Sequence, residues 1–153
     1  MSIRRTKCLL HLFLFLVLPF AATGRENPDA SRLLLPEDLN WLSSPALHGL
    51  QTSVLIGNPA EKGAYVQRIK LPPHVRLEPH WHPNRSRMVT VLQGTFSYAY
   101  GETFDASKLK VLPPGSFFTE PAGIAHYAMT GNDEVVLELH ATGPDGTVYL
   151  QKP

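Results

Sequence analysis

The stretch Gly115-Ser116-Phe117-Phe118-Thr119-Glu120-Pro121-Ala122-Gly123-Ile124-Ala125-His126 decides how this chain is read. An apolar run follows Gly115, stops at Pro121-Ala122-Gly123, and delivers one histidine just past the break. This pattern predicts a strand, a tight turn and the start of a second strand. Working outward, the same rhythm holds from residue 50 to the end. Short apolar or alternating runs are separated by Gly57-Asn58-Pro59, Pro72-Pro73, Pro83-Asn84, Pro113-Pro114-Gly115, Gly131-Asn132-Asp133 and Gly143-Pro144-Asp145-Gly146. Strands are expected at 51–56, 64–71, 75–82, 87–93, 94–100, 115–120, 125–130, 134–142 and 147–150, an all-β pattern. The 14 prolines would break a helical bundle, since one inside a helix costs about 3 kcal/mol. Only 104–110 has room for a turn of helix. Residues 33–41 read as a short turn whose apolar side chains cap one end of the core. A sandwich and a closed barrel both fit this pattern.

A second segment narrows the chemistry. In Glu78-Pro79-His80-Trp81-His82-Pro83 two histidines stand two apart on an expected strand, so both leave the same face, with Trp81 pointing oppositely. Two imidazoles about 7 Å apart along a face can converge on one ion.

Together the two segments resemble the cupin superfamily. The first motif of that family reads His-x-His, three or four residues, Glu, six residues, Gly; here His80, His82 and Gly94 are in register. The second reads Gly, five residues, Pro-x-Gly, two residues, His, and Gly115, Pro121, Gly123 and His126 match at every spacing. The resemblance covers residues 64–142. It implies a double-stranded β-helix, the jelly-roll barrel, with His80, His82 and His126 sharing one divalent ion in its mouth. It implies iron(II) first, with zinc, manganese, nickel or copper as alternatives. It also implies a homodimer, and a site similar to the three-histidine dioxygenases that cleave β-diketones and oxidise thiols.

The chain departs from the family where the metal-binding glutamate belongs, for Arg87 stands there, and a guanidinium cannot ligate a cation. Three neutral imidazoles suffice for these metals and leave positions open. About 6 Å from a divalent ion, at an effective dielectric of 20, Arg87 would feel a repulsion on the order of 5 kcal/mol. Either it turns to the rim and is solvated, or an anion compensates it, in which case Arg87 holds an anionic substrate against the metal. Glu120 has three readings: a substitute oxygen ligand, a general base, or a surface residue at a strand end. His140 shares a strand face with Glu138 and Val136, and contacts substrate if that face is the inner one. Arg87, Glu120 and His140 are therefore the candidate catalytic residues. His48 and His74 sit near turn signals and are read as solvated, whereas Phe96, Tyr98, Tyr100 and Phe104 are read as core.

The N-terminus places Arg4, Arg5 and Lys7 before the apolar run Cys8–Phe20, followed by Ala21, Ala22, Thr23 and Gly24. This is the pattern of a secretory signal peptide, cleaved after Ala22 or Gly24. Its apolar run is short of the ~20 residues that span a bilayer, so no stable membrane anchor is expected after cleavage. The organisation is then a signal peptide at 1–24, a leader at 25–49 and one barrel domain at 50–153. Of 14 basic and 13 acidic residues, the signal removes only basic ones, and the faintly acidic remainder argues against nucleic acid as a partner. Cys8 is the one cysteine, so the exported part carries no disulfide. Asn84-Arg85-Ser86 is a glycosylation sequon beside the ligands, where a glycan would obstruct the site, which weighs toward a bacterial source. The expected function is that of a secreted or periplasmic mononuclear non-haem metalloenzyme, dioxygenase-like, acting on a small organic substrate. The alternative is a non-catalytic cupin that binds or senses a small ligand or metal.

Overall fold

The alternation of β-branched and aromatic residues with polar ones produces eleven strands among residues 31–44, 49–83 and 85–150, which this computed structural model describes. The expected signal peptide at 1–24, His48 and Asn84 of the sequon lie outside the described residues. The strands are β1 (Leu42–Ser43), β2 (Gln51–Ile56), β3 (Gly63–Leu71), β4 (Arg76–Trp81), β5 (Arg87–Gln93), β6 (Phe96–Tyr100), β7 (Lys110–Leu112), β8 (Phe117–Glu120), β9 (His126–Thr130), β10 (Val135–Gly143) and β11 (Val148–Tyr149). The nine runs expected from sequence are β2 to β6 and β8 to β11. The two additions, β1 and β7, are short edge strands with too few residues to show a period. The turn of helix expected within 104–110 is the 3-10 turn Ala106–Lys108, capped by Asp105 accepting from the Ser107 backbone N–H.

Two antiparallel sheets face each other. One has six strands in the order β1-β2-β3-β10-β5-β8, and the other five in the order β11-β4-β9-β6-β7. The chain crosses repeatedly between the sheets, and two of these crossings, β4 to β5 and β8 to β9, carry the site. Between the sheets lies the core of Tyr65, Val91, Phe96, Leu137, Leu139 and their neighbours, all nearly or fully buried. Gly94 makes the β5–β6 turn at φ 73°, and a Cβ there would collide with the Glu134 carbonyl oxygen, so both conformation and space demand glycine.

A β-bulge sets the aim of the first histidine motif. Leu77 pairs with Ala128 and His80 with His126, so β4 has one more residue than β9 between these pairs. The bulge reverses the strand's alternation: Leu77 and His80 both face the cavity, although three apart they would face oppositely on a regular strand.

Two expectations about packing are corrected. Leu33, Leu34 and Leu35 do not cap the core; they are 83%, 44% and 49% exposed, because the segment forms only an isolated 3-10 turn at Pro36–Asp38 that packs no side chain inward. Tyr100 is not core either. It follows Phe96 and Tyr98 on one face of β6, but at the mouth of the barrel, where it is 48% exposed and its hydroxyl donates to the Thr119 carbonyl.

Candidate metal centre

Four strand ends meet at one end of the barrel, and each motif crosses from one sheet to the other there. The His-x-His motif runs from β4 into β5, bringing His80 and His82 and then Arg87; the second motif runs from β8 into β9, bringing Glu120 and then His126. Two register pairs thus face each other, His80 opposite His126 on the five-stranded sheet and Arg87 opposite Glu120 on the six-stranded one. A backbone hydrogen bond from Gly123 N–H to the His82 carbonyl, at 2.9 Å, ties the two connections together.

The three histidines are buried, and their ligating nitrogens lie within 4.8 Å of one another. Each Nδ1 faces a backbone carbonyl: Glu78 for His80 at 2.7 Å, Gly146 for His82 at 2.7 Å and Ile124 for His126 at 3.1 Å. A carbonyl only accepts, so Nδ1 carries the proton and each Nε2 turns a lone pair toward the cluster. Backbone carbonyls that fix the tautomer and aim the ring are the usual support of metal-ligating histidine. The His126 Nε2 is buried and has no hydrogen-bond partner. Burial, with neighbouring His126 adding to it, lowers His80 to about 4, and burial likewise lowers His126 against the opposing charge of Glu120. Both are neutral at physiological pH, as metal binding requires. The residues fit a divalent ion.

Arg87 is buried and does not turn to the rim. Its Nη2 donates to both Asp145 carboxylate oxygens at 2.6 Å, and its Nη1 reaches Glu120 Oε2 at 3.3 Å and His82 Nε2 at 2.7 Å. Burial alone would lower its pKa, but Glu120 and Asp145 raise it. Asp145 is held below the usual carboxylate range, the Arg87 hydrogen bond and charge outweighing its burial. The charge that must balance Arg87 is therefore supplied by the protein, and the case for an anionic substrate on that ground falls away. Glu120 is not a surface residue, since its side chain is 12% exposed with Oε2 3.3 Å from His82 Nε2 and Oε1 3.5 Å from His126 Nε2.

His140 is the candidate that the structure does not bring to the site. Val135, Leu137 and Leu139 form the inner face of β10, which leaves His140 on the outer face, its side chain 48% exposed and beside Glu138 at 3.2 Å. His74 is exposed in a turn, as expected.

Sequence reading passed over two polar groups. Asp145 sits in Gly143-Pro144-Asp145-Gly146, where turn chemistry explains an aspartate fully and hides its role as the partner of Arg87. Tyr98 is buried core, as expected, yet its hydroxyl has no hydrogen-bond partner and its ring lies 5.5 Å from that of His126. Burial pushes its phenol well up, so it stays protonated and available as a donor. The cluster closes one end of a cavity of about 230 Å³, with walls that include Leu71, Leu77, Phe96, Leu137 and Leu139.

A family model described as the ChrR cupin-like domain matches residues 30–145. Germin-like protein 9-3 of Oryza sativa subsp. japonica is 23% identical over 142 residues, covering 88% of this chain; the chain spans only 61% of that relative. Among solved structures, the polyketide cyclase RemF from Streptomyces resistomycificus superposes with a TM-score of 0.62 at 18% identity, over 80% of this chain and 89% of its own. The DMSP lyase DddQ from Ruegeria pomeroyi does so at 0.57 and 17% identity, over 74% and 61%. At these identities the likeness establishes the double-stranded β-helix and leaves the reaction open.

Proposed function

The chain belongs to the ChrR cupin-like domain family, and on that premise we propose that it is an exported mononuclear metalloenzyme, iron(II)-dependent and dioxygenase-like, acting on a small organic molecule. One observation carries the reading: three buried imidazoles, each fixed by a backbone carbonyl, turn their Nε2 lone pairs to one point at the end of a partly open cavity. When bound there, the ion supplies Lewis acidity and one-electron chemistry. The remaining work belongs to the chain. The leucine and phenylalanine walls exclude water and select a largely apolar molecule, and a cavity of about 230 Å³ limits it to a small one. Tyr98 offers a hydroxyl donor that the fold leaves unpaired, suited to a substrate oxygen. The charge of Arg87 is already balanced by Asp145 and Glu120, so a neutral or singly charged substrate fits better than a strongly anionic one.

The test joins metal analysis to turnover. Purified protein is expected to hold one divalent ion per chain and to consume oxygen with at least one member of a panel of diketones, catechols and thiols when iron(II) is added. His126→Ala should abolish both. A protein without metal affinity, unchanged by His80→Ala or His126→Ala, would sink the metal centre. One ion per chain with no turnover would support a second reading, a cupin that binds or senses, which is favoured by the seating of Arg87 on His82 Nε2. Export is tested separately, by N-terminal sequencing of protein recovered outside the cytoplasm, which should begin at Thr23 or Arg25.

A further inference from the structure

We propose that Glu120 is the oxygen ligand of the metal centre, supplied from β8 across the strand pair from Arg87. The proposal rests on the reading of the three histidines as metal ligands and adds a fourth. Its first support is hydrogen-bond chemistry. Because the Nδ1 protons of His82 and His126 go to the Gly146 and Ile124 carbonyls, their Nε2 atoms are acceptors, and so are both Glu120 oxygens. Yet Oε2 lies 3.3 Å from His82 Nε2 and Oε1 lies 3.5 Å from His126 Nε2. Arg87 Nη1 stands beside the first pair, 2.7 Å from His82 Nε2 and 3.3 Å from Oε2, but the His126 Nε2 has no donor, and two acceptors facing each other there repel unless something positive stands between them. The spacings suit such an ion. Ligands about 2.0–2.2 Å from one metal, at tetrahedral or octahedral angles, stand roughly 3.0–3.5 Å apart.

The second support is charge. Arg87 donates to both oxygens of Asp145 at 2.6 Å, whereas its Nη1 is 3.3 Å from Glu120. One buried cation therefore faces two carboxylates, and the pairing leaves the negative charge of Glu120 in excess. A buried surplus charge is costly unless matched, and among neutral imidazoles a divalent cation matches it. Metal entry requires Nη1 to leave the His82 lone pair; the two bonds to Asp145 hold the guanidinium in place when it does. Arg87 and Glu120 are register partners, so the carboxylate has its base one strand away from the position that Arg87 occupies and still reaches the same cluster.

The experiment uses cobalt(II) as the probe on the full chain, stripped of metal with a chelator. Affinity is read by calorimetry and the ligand set by the visible absorption of the ion. Glu120→Gln is expected to weaken cobalt(II) binding at least tenfold and to change the absorption bands, because a ligand of the ion is lost. Glu120→Asp, which keeps the charge beside Arg87 and guards against a folding failure, should also shift the bands. Wild-type bands in both variants would overturn the assignment whatever the affinity does, since a residue acting only through its charge leaves the ligand set intact. Cobalt(II) binding by the wild type that His80→Ala destroys, with unaltered bands in the Glu120 variants, would leave the three-histidine site standing and remove Glu120 alone. Failure of the wild type to bind cobalt(II) would overturn both.

Discussion

The two sheets furnish opposite halves of the centre, and they do so by different physics. The five-stranded sheet gives His80 and His126, with His82 one residue past the end of β4, neutral groups whose only demand is a backbone carbonyl within reach of Nδ1. The six-stranded sheet gives Arg87 and Glu120, charged groups that cannot be buried singly and that draw Asp145 in from the β10–β11 connection. His80 and His126 are satisfied within two residues, and His82 by the Gly146 carbonyl, 64 positions on. The charged half is satisfied only by residues 33 and 58 positions away in the chain. A half built from neutral groups, each supported by its own backbone carbonyl, tolerates change one residue at a time. A half built from mutually dependent charges does not, and the sharpest way to test the contrast is to remove one charge.

Replacing Arg87 with Met leaves Glu120 and Asp145 buried without their cation, and should cost about 3–5 kcal/mol of metal-free stability, as breaking a buried pair does. Asp145→Asn should cost less, because Glu120 remains beside the guanidinium. The combined Arg87→Met, Glu120→Gln, Asp145→Asn variant should be more stable than Arg87→Met alone, since removing a whole buried ionic network is often neutral or stabilising. Urea denaturation of the three proteins reads this directly. A triple variant as weak as the sum of its parts would mean that the charged half is held by packing rather than by its charges.

The same contrast explains what could be read from sequence. His80, His82 and His126 announce themselves through fixed spacings beside turn residues, which is local information. So do most of the strands. The bulge that turns His80 inward is not local: it appears only where β4 meets β9. The partnership of Arg87 with Asp145 joins two turns far apart in sequence, and Asp145 in a Gly-Pro-Asp-Gly turn has an adequate explanation without it. Glu120 could be named as a candidate from its place before Pro121, but its choice among three roles needed the fold. Leu33 to Leu35 erred in the other direction: apolar composition predicted burial, and no partner surface meets them.

The neutral half should show itself in pH. With metal removed, folded His80 titrates near 4 against an ordinary value of 6.5. Between those values the unfolded chain binds a proton that the folded chain refuses, so stability falls as pH drops through this interval and stops falling below it. At about 1.4 kcal/mol per pH unit the loss attributable to His80 is on the order of 3 kcal/mol. His126, lowered in the same direction by its burial, adds to it. Denaturation midpoints measured with chelator at pH 7 and pH 5 should differ, and His80→Gln should flatten the difference in part. A wild-type midpoint independent of pH over this range would show that the imidazoles are not held neutral by burial. A smaller effect is expected away from both halves: Leu137→Ala should cost about 2 kcal/mol, the low end for a buried leucine, because its side chain already borders the cavity.

The smallest effect belongs to His140, and it tests the geometry that separates inside from outside. His140 is one residue from Leu139, which is 1% exposed on the cavity wall, and two from Glu138, with which it shares the outer face of β10. Strand alternation alone sets these fates, for β10 pairs with β3 in unbroken register from Val135 to Gly143. Its half-exposed ring meets the Glu138 carboxylate, which Arg68 already pairs at 3.0 Å, an interaction of surface type worth well under 1 kcal/mol. His140→Ala should therefore change stability by no more than about 0.5 kcal/mol and leave metal stoichiometry and affinity untouched. A loss of metal in that variant would require β10 to be shifted by one residue, because any such shift exchanges its faces and carries His140 inward in place of Leu139.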